Sequence, residues 1–149
     1  MARATSTRTE PETLQARLRA GVAGGLAGGL VFGALMHTMG MMPMVAMLIG
    51  SQSIAVGWIG HLAISVFVGG TFALVTAGKP LSRGGSALAG TGYGALWWVL
   101  GPLLIMPARL GMKLLAVSSM TMQSLAGHLM YGLVLGLVFA AVGRRPARA

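Results

Sequence analysis

Residues 120–142, MTMQSLAGHLMYGLVLGLVFAAV, decide the fold class of this chain. The stretch contains no Asp, Glu, Lys or Arg, and most of its residues are Leu, Val, Ala, Met or Gly. A helix rises about 1.5 Å per residue, so a helix of this length measures about 30 Å, the hydrocarbon thickness of a bilayer. The stretch therefore predicts a transmembrane helix.

Three further stretches have the same character, at residues 20–39, 54–76 and 86–106. Only 9% of the chain is charged and 55% is hydrophobic. A soluble domain usually carries about 25% charged residues, so this composition excludes one. The sequence predicts an all-α membrane protein with four transmembrane helices.

Basic residues flank the apolar stretches and predict the topology. The formal net charge is +9, but the basic residues form no continuous face, so we expect no nucleic acid partner. If there are four spans, Arg109 and Lys113 lie on one side of the membrane and the other nine Lys and Arg residues lie on the opposite side. Loops rich in Lys and Arg stay in the cytoplasm, which predicts that both termini are cytoplasmic.

The domain organisation follows from the same pattern. We expect a basic cytoplasmic tail at residues 1–19 that leads into the first helix, a transmembrane domain at residues 20–142, and a second basic tail at residues 143–149. Thr9 and Glu12 have the spacing of a capping box, which predicts that the first helix begins at about residue 10. The chain contains no Cys, so disulfides and thiolate metal sites are excluded.

The two halves of the chain resemble each other. Three short motifs recur in the same order: Gly33-Ala34-Leu35 as Gly94-Ala95-Leu96, Met42-Pro43 as Met106-Pro107, and Gly60-His61-Leu62 as Gly127-His128-Leu129. Each half contains two spans, so the pattern predicts two tandem, parallel helical hairpins. Each Pro is expected to end the preceding helix, with a short interfacial helix on the outer face at residues 44–50 and 108–117.

Small residues recur at intervals of four within the spans. Residues four apart share one helix face, and rows of small residues let helix backbones approach closely in lipid. The rows indicate close helix packing, within one chain or between chains. The packing glycines predicted in this way are Gly21, Gly25, Gly29, Gly33, Gly69, Gly132 and Gly136.

The three histidines continue these rows. His37, His61 and His128 are expected on small, buried faces in the outer third of the membrane. One interpretation is that each imidazole bonds a carbonyl of a neighbouring helix and fixes its register. The other is a metal site, because ionisable residues inside membranes are functional candidates and imidazole is a common metal ligand.

Methionines support a specific version of the metal hypothesis. Apart from Met1, every Met falls in the outer half of the predicted protein, and thioethers with imidazoles suit Cu(I). The predicted metal ligands are His61, His128, His37, Met39, Met42 and Met106. The alternative is that Met fills irregular gaps where helices break, with no cofactor bound.

The chain resembles a family of small bacterial four-span membrane proteins of unknown function. The resemblance lies in residues 39–43 (MGMMP), 57–62 (GWIGHL) and 127–136 (GHLMYGLVLG), and covers roughly residues 20–142. It implies a bacterial inner-membrane location and no established activity.

Several functions remain open from the sequence. The leading hypothesis is a non-enzymatic helix bundle that acts through oligomerisation or as an accessory subunit of a membrane complex. The alternatives are a protein that binds Cu(I) or haem in the outer third of the membrane, and a small transporter or channel. An enzyme has the least support, because the chain has no Cys and its spans contain no Asp or Glu.

Overall fold

The computed structural model describes residues 13–143, and this part of the chain is helical without strands. Four of its helices are long and apolar enough to cross a membrane, which confirms the predicted fold class. The elements are α1 (Leu14–Thr38), α2 (Met42–Met47), α3 (Ile54–Val75), α4 (Arg83–Trp98), a π-helical segment (Val99–Ile105), α5 (Met106–Leu110) and α6 (Ser119–Val142).

The long helices form an arc in the order α3, α1, α6, α4. Helix α1 packs against both α3 and α6, and α6 packs against α4. The two spans of each predicted hairpin, α1 with α3 and α4 with α6, are therefore packed against each other. The contact between α1 and α6 joins the two hairpins. Helices α3 and α4, at the ends of the arc, are not a closely packed pair.

Glycines set the contact between α1 and α3. A Cβ on Gly69 would meet the Gly21 carbonyl oxygen and would lie 2.8 Å from Gly25 Cα. A Cβ on Gly29 would collide with the Ser65 side chain, and one on Gly33 would lie 2.8 Å from the Trp58 ring. Real Cβ atoms do not approach other atoms so closely. A larger residue at these positions would therefore require the facing backbone or side chain to move.

Glycines also set the contact between α4 and α6. A Cβ on Gly90 would lie 2.9 Å from Gly136 N, and one on Gly132 would lie 2.8 Å from the Gly90 carbonyl carbon. Gly94 packs on the backbone of His128, where the carbonyl carbon lies 3.0 Å from an added Cβ. The predicted packing glycines are thus used within one chain.

The start of α1 differs from the prediction. Thr9 and Glu12 lie outside the described residues. Helix α1 begins at Leu14, because Thr13 is extended and its hydroxyl accepts a hydrogen bond from Ala16 N at 3.3 Å. The prediction of a helix that runs without interruption from about residue 10 is therefore wrong.

The first hairpin breaks at a glycine, so the prediction that Pro43 ends the preceding helix is wrong. Gly40 follows α1 with a φ of 68°, a left-handed conformation that glycine adopts without a Cβ penalty. Met41 N donates to the Met36 carbonyl at 2.9 Å, which closes a Schellman-type cap. Pro43 then lies in the first turn of the separate helix α2.

The second hairpin does not break at Met106-Pro107, so that prediction is wrong. Residues Arg83–Leu110 form one span, in which the π-helical segment widens around Pro102. Pro107 has no N–H to donate, and the nearby Leu103 carbonyl accepts from Leu115 N at 2.9 Å. Leu104 occupies the position of Gly40 in the predicted repeat. A leucine disfavours the left-handed backbone conformation that Gly40 adopts after α1.

The prediction of an interfacial helix at residues 108–117 is also wrong, because residues 108–110 are the end of the preceding span. Helix α5 ends at Leu110, and Gly111, with a φ of 67°, caps it. None of residues 111–118 is helical, and they connect to α6 as a loop. This loop, residues 111–118, and α2 lie at the end of the bundle that we call the outer end, following the predicted topology.

An apolar cavity between the hairpins as a candidate binding site

The gap between α3 and α4 is bridged by side chains. Phe67 of α3 packs edge-on against Trp97 of α4, with 6.0 Å between ring centroids, and Phe72 packs against Tyr93 at 5.4 Å. The hydroxyl groups of Thr71 and Tyr93 are hydrogen-bonded at 2.7 Å. These contacts close the inner half of the gap.

The outer half of the gap holds a cavity of about 460 Å³. Its walls come from α1, α3, the π-helical segment and α6, and α2 with the 111–118 loop lies over its outer end. Most of the lining side chains are apolar. A site of this size and character suits a small apolar molecule, because ligand pockets combine hydrophobic walls with a few placed polar groups.

Two of the three predicted histidines meet at this cavity. His61 of α3 and His128 of α6 both line it, and both rings pack edge-on against Phe32, at 5.5 and 4.8 Å between centroids. His61 is only 7% exposed, whereas His128 is half-buried. Their helices bring them to one ring from opposite halves of the chain.

Hydrogen bonds define the tautomer of each of these rings. His61 Nε2 lies 2.9 Å from the Gly29 carbonyl, and His128 Nδ1 lies 2.7 Å from the Ser124 carbonyl. A carbonyl only accepts, so each of these nitrogens carries the proton. The remaining nitrogens, His61 Nδ1 and His128 Nε2, make no hydrogen bond within the described residues, and in the neutral rings they are acceptors.

His37 is not part of this arrangement. The structure places it on the exposed surface at the end of α1, which contradicts the expected buried face. Its Nδ1 accepts a hydrogen bond from Trp58 Nε1 at 3.3 Å, and it does not line the cavity. At this level α3 presents Trp58, whose ring centroid lies 6.1 Å from that of His37.

Only one of the three predicted methionine ligands lines the cavity. Met106 lines the cavity, but Met39 and Met42 do not. Met42 is only 1% exposed and packs against α3 at Gly57. The methionines that line the cavity are Met36, Met41, Met44, Met106, Met112 and Met120.

Sequence reasoning missed the polar groups beside the histidines. Ser65 Oγ donates to the His61 carbonyl at 2.7 Å, and the Tyr131 hydroxyl donates to the Ser65 carbonyl at 2.9 Å. Trp97 also lines the cavity. Ser65 lies four residues after His61 and therefore on the same helix face, but the position of Tyr131 depends on how α6 packs across α1.

No group of three or more His, Cys, Asp or Glu side chains within residues 13–143 is placed to hold a metal ion. The chain matches no protein-family model, no curated protein and no solved structure. Its site is therefore interpreted from its own geometry. That geometry offers an apolar space, two imidazole acceptors and six thioethers.

Proposed function

We propose that this protein is a non-enzymatic membrane protein that binds a lipid-soluble molecule in the cavity between its hairpins. The cavity of about 460 Å³ carries the proposal, because it combines apolar walls with two imidazoles. A ligand would enter from the bilayer between α3 and α4. We place the protein in a bacterial cytoplasmic membrane with both termini in the cytoplasm, as its basic residues and the family resemblance indicate.

The closed inner half favours binding over transport. The aromatic contacts of Phe67 with Trp97 and of Phe72 with Tyr93 fill the gap below the cavity. A small transporter or channel would need this barrier to open. Binding needs no such movement, so we prefer it.

A bulky residue at the cavity wall tests the proposal. Gly101 lines the cavity, and a Cβ there would meet no atom within 4 Å. We expect Gly101→Phe to reduce labelling of cavity residues by a small apolar diazirine photoprobe several-fold, because the ring occupies the space. Gly92→Phe is the matched control, since Gly92 lies in the same span, is exposed and is equally free of neighbours.

The probe also has an internal reference. Leu88 is 77% exposed on the lipid-facing surface of α4, so its labelling reports the probe dissolved in lipid. If Met106 in the cavity is labelled no more than Leu88, or if Gly101→Phe and Gly92→Phe label alike, the cavity is not a binding site.

Cu(I) binding is a second candidate, favoured by the six thioethers that share the cavity with His61 and His128. Thioethers and neutral imidazoles are ligands that suit this ion. Near-stoichiometric copper after anaerobic Cu(I) loading, lost in His61→Ala and His128→Ala, would support it. A chain that binds no copper after loading would remove this candidate.

Association with another chain is a third candidate. Most of the glycine rows are used inside the chain, but Gly84 and Gly92 of α4 are exposed and have no neighbour within 4 Å of an added Cβ. Such positions allow close approach of another helix, in a homo-oligomer or a larger complex. Crosslinking in native membranes tests this, and loss of a crosslinked species in Gly92→Leu would support it. A strictly monomeric chain without a partner would contradict it.

A further inference from the structure

The polar groups at the cavity are matched to one kind of ligand. Three hydroxyl hydrogens are used by backbone carbonyls: Ser65 Oγ donates to the His61 carbonyl at 2.7 Å, the Tyr131 hydroxyl to the Ser65 carbonyl at 2.9 Å, and Thr121 Oγ1 to the Ser118 carbonyl at 2.9 Å. Ser124 Oγ lies 3.3 Å from His128 Nδ1. Each of the two imidazoles leaves one acceptor without a partner in the described residues, His61 Nδ1 and His128 Nε2.

The neutral form of both rings follows from their surroundings. The only Asp or Glu residues of the chain are Glu10 and Glu12, which precede the membrane spans. No carboxylate is therefore available inside the spans to balance an imidazolium ion. Each neutral ring donates one N–H to a backbone carbonyl and leaves a lone pair for the cavity.

Two N–H donors at the cavity make no hydrogen bond to these acceptors. Trp97 Nε1 is buried by packing and has no hydrogen-bond partner within the described residues. Its ring is edge-on to Phe67 and Tyr93, at 6.0 and 6.2 Å between centroids. Lys113 is exposed at the outer end of the cavity, where its ammonium group can reach water or lipid headgroups.

We propose that the ligand of this cavity is an apolar molecule that carries a free hydroxyl group, a long-chain alcohol or a phenol. The inference rests on the proposed function and names its ligand class. The hydroxyl donates to His61 Nδ1 or His128 Nε2, and the apolar body lies against the methionines and Phe32. Esters, ketones and hydrocarbons lack a donor and leave both acceptors unsatisfied in an apolar space, which is unfavourable.

Two probes that differ by one O–H group test the inference. The full-length chain in lipid nanodiscs is labelled with a diazirine-bearing alkylphenol and, separately, with its O-methyl ether. We expect the phenol to label cavity residues about tenfold more strongly, the size of effect expected when one buried hydrogen bond is lost. A long-chain alcohol and its methyl ether form a second pair, which separates the two sources of the hydroxyl.

Aromatic replacements locate the acceptors. His61→Phe and His128→Phe keep the ring shape and remove the lone pair, so the preference for phenol over ether falls while ether labelling persists. His37→Phe, outside the cavity, retains the full preference. The ratio of phenol labelling to ether labelling is measured on the unsubstituted chain. The test therefore holds even if a variant fails to fold.

The possible outcomes separate this inference from the function on which it rests. Equal labelling by phenol and ether overturns the hydroxyl preference and leaves the cavity as a binding site. Labelling by neither probe overturns the binding function itself. Displacement of the phenol by one equivalent of Cu(I) assigns the two lone pairs to a metal and also overturns the inference.

Discussion

The hydroxyl group of Tyr131 donates to the backbone carbonyl of Ser65 across 2.9 Å, and this bond ties the fourth long helix to the second. The Tyr131 ring crosses α1 where a glycine leaves room for it, since a Cβ on Gly28 would lie 3.0 Å from Tyr131 Cδ2. The two hairpins are therefore joined by a buried polar contact beside the cavity, in addition to the packing of α1 on α6.

Removing this bond is expected to loosen the junction between the hairpins. Tyr131→Phe keeps the ring and deletes the donor, and hydrogen bonds between membrane helices contribute about 0.6 kcal/mol, at most about 1.7. Because Tyr131 is only 5% exposed, we expect a loss near the upper end. Reversible unfolding in mixed micelles measures it. Tyr93→Phe, whose half-buried hydroxyl bonds Thr71, should lose less, and equal losses would contradict the account.

Two neighbouring glycines provide a sharp test of the packing. Gly69 and Gly70 are adjacent in α3, but a Cβ on Gly69 would meet α1, whereas one on Gly70 would have nothing within 4 Å. Overpacking costs about 1–3 kcal/mol, so Gly69→Ala should lower the unfolding free energy by that amount. Gly70→Ala should be neutral or raise it by up to about 1 kcal/mol, since Ala is the better helix former. Similar behaviour of the two variants would show that α1 and α3 do not pack this way.

The four spans and the packing glycines could be predicted because they depend on local properties. Hydropathy over about 20 residues identifies a span, and small residues four apart identify a face. The rows through Gly21 and Gly69 named the residues in contact between α1 and α3. They did not say whether the contact lies within one chain, since both arrangements use the same surface.

The cavity could not be predicted, because it depends on which helices fail to meet. Nothing in the sequence indicates that α3 and α4 stay apart, or that Phe67 and Trp97 bridge them. The continuous span through Pro107 was missed for a related reason. The Leu103 carbonyl of this span accepts from Leu115 N, a partner that only the folded loop supplies.

Arg17 is expected to stabilise the inner end of the bundle. Its Nη2 donates to the Thr76 carbonyl at 2.7 Å and to Thr76 Oγ1 at 3.2 Å, at the C-terminal end of α3, and the guanidinium lies 5.4 Å from the centre of the Phe139 ring. Lysine keeps the charge but not the planar group, so Arg17→Lys should lower the unfolding free energy by about 1–2 kcal/mol. Arg19→Lys, at an exposed position two residues further along α1, is the control and should change the unfolding free energy little. A larger effect at Arg19 would contradict the role given to Arg17.

The topology can be measured directly, because the chain contains no Cys and any introduced thiol is unique. Lys79 follows α3 and Lys113 lies in the 111–118 loop, so the four spans place them on opposite sides of the membrane, and both are exposed. The excess of Lys and Arg on the side of Lys79 predicts that this side is cytoplasmic. In intact cells, a membrane-impermeant maleimide should label Lys113→Cys and not Lys79→Cys, whereas after lysis it should label both. The reverse pattern would invert the orientation and place the cavity in the inner leaflet, and labelling of both thiols in intact cells would contradict the four-span topology.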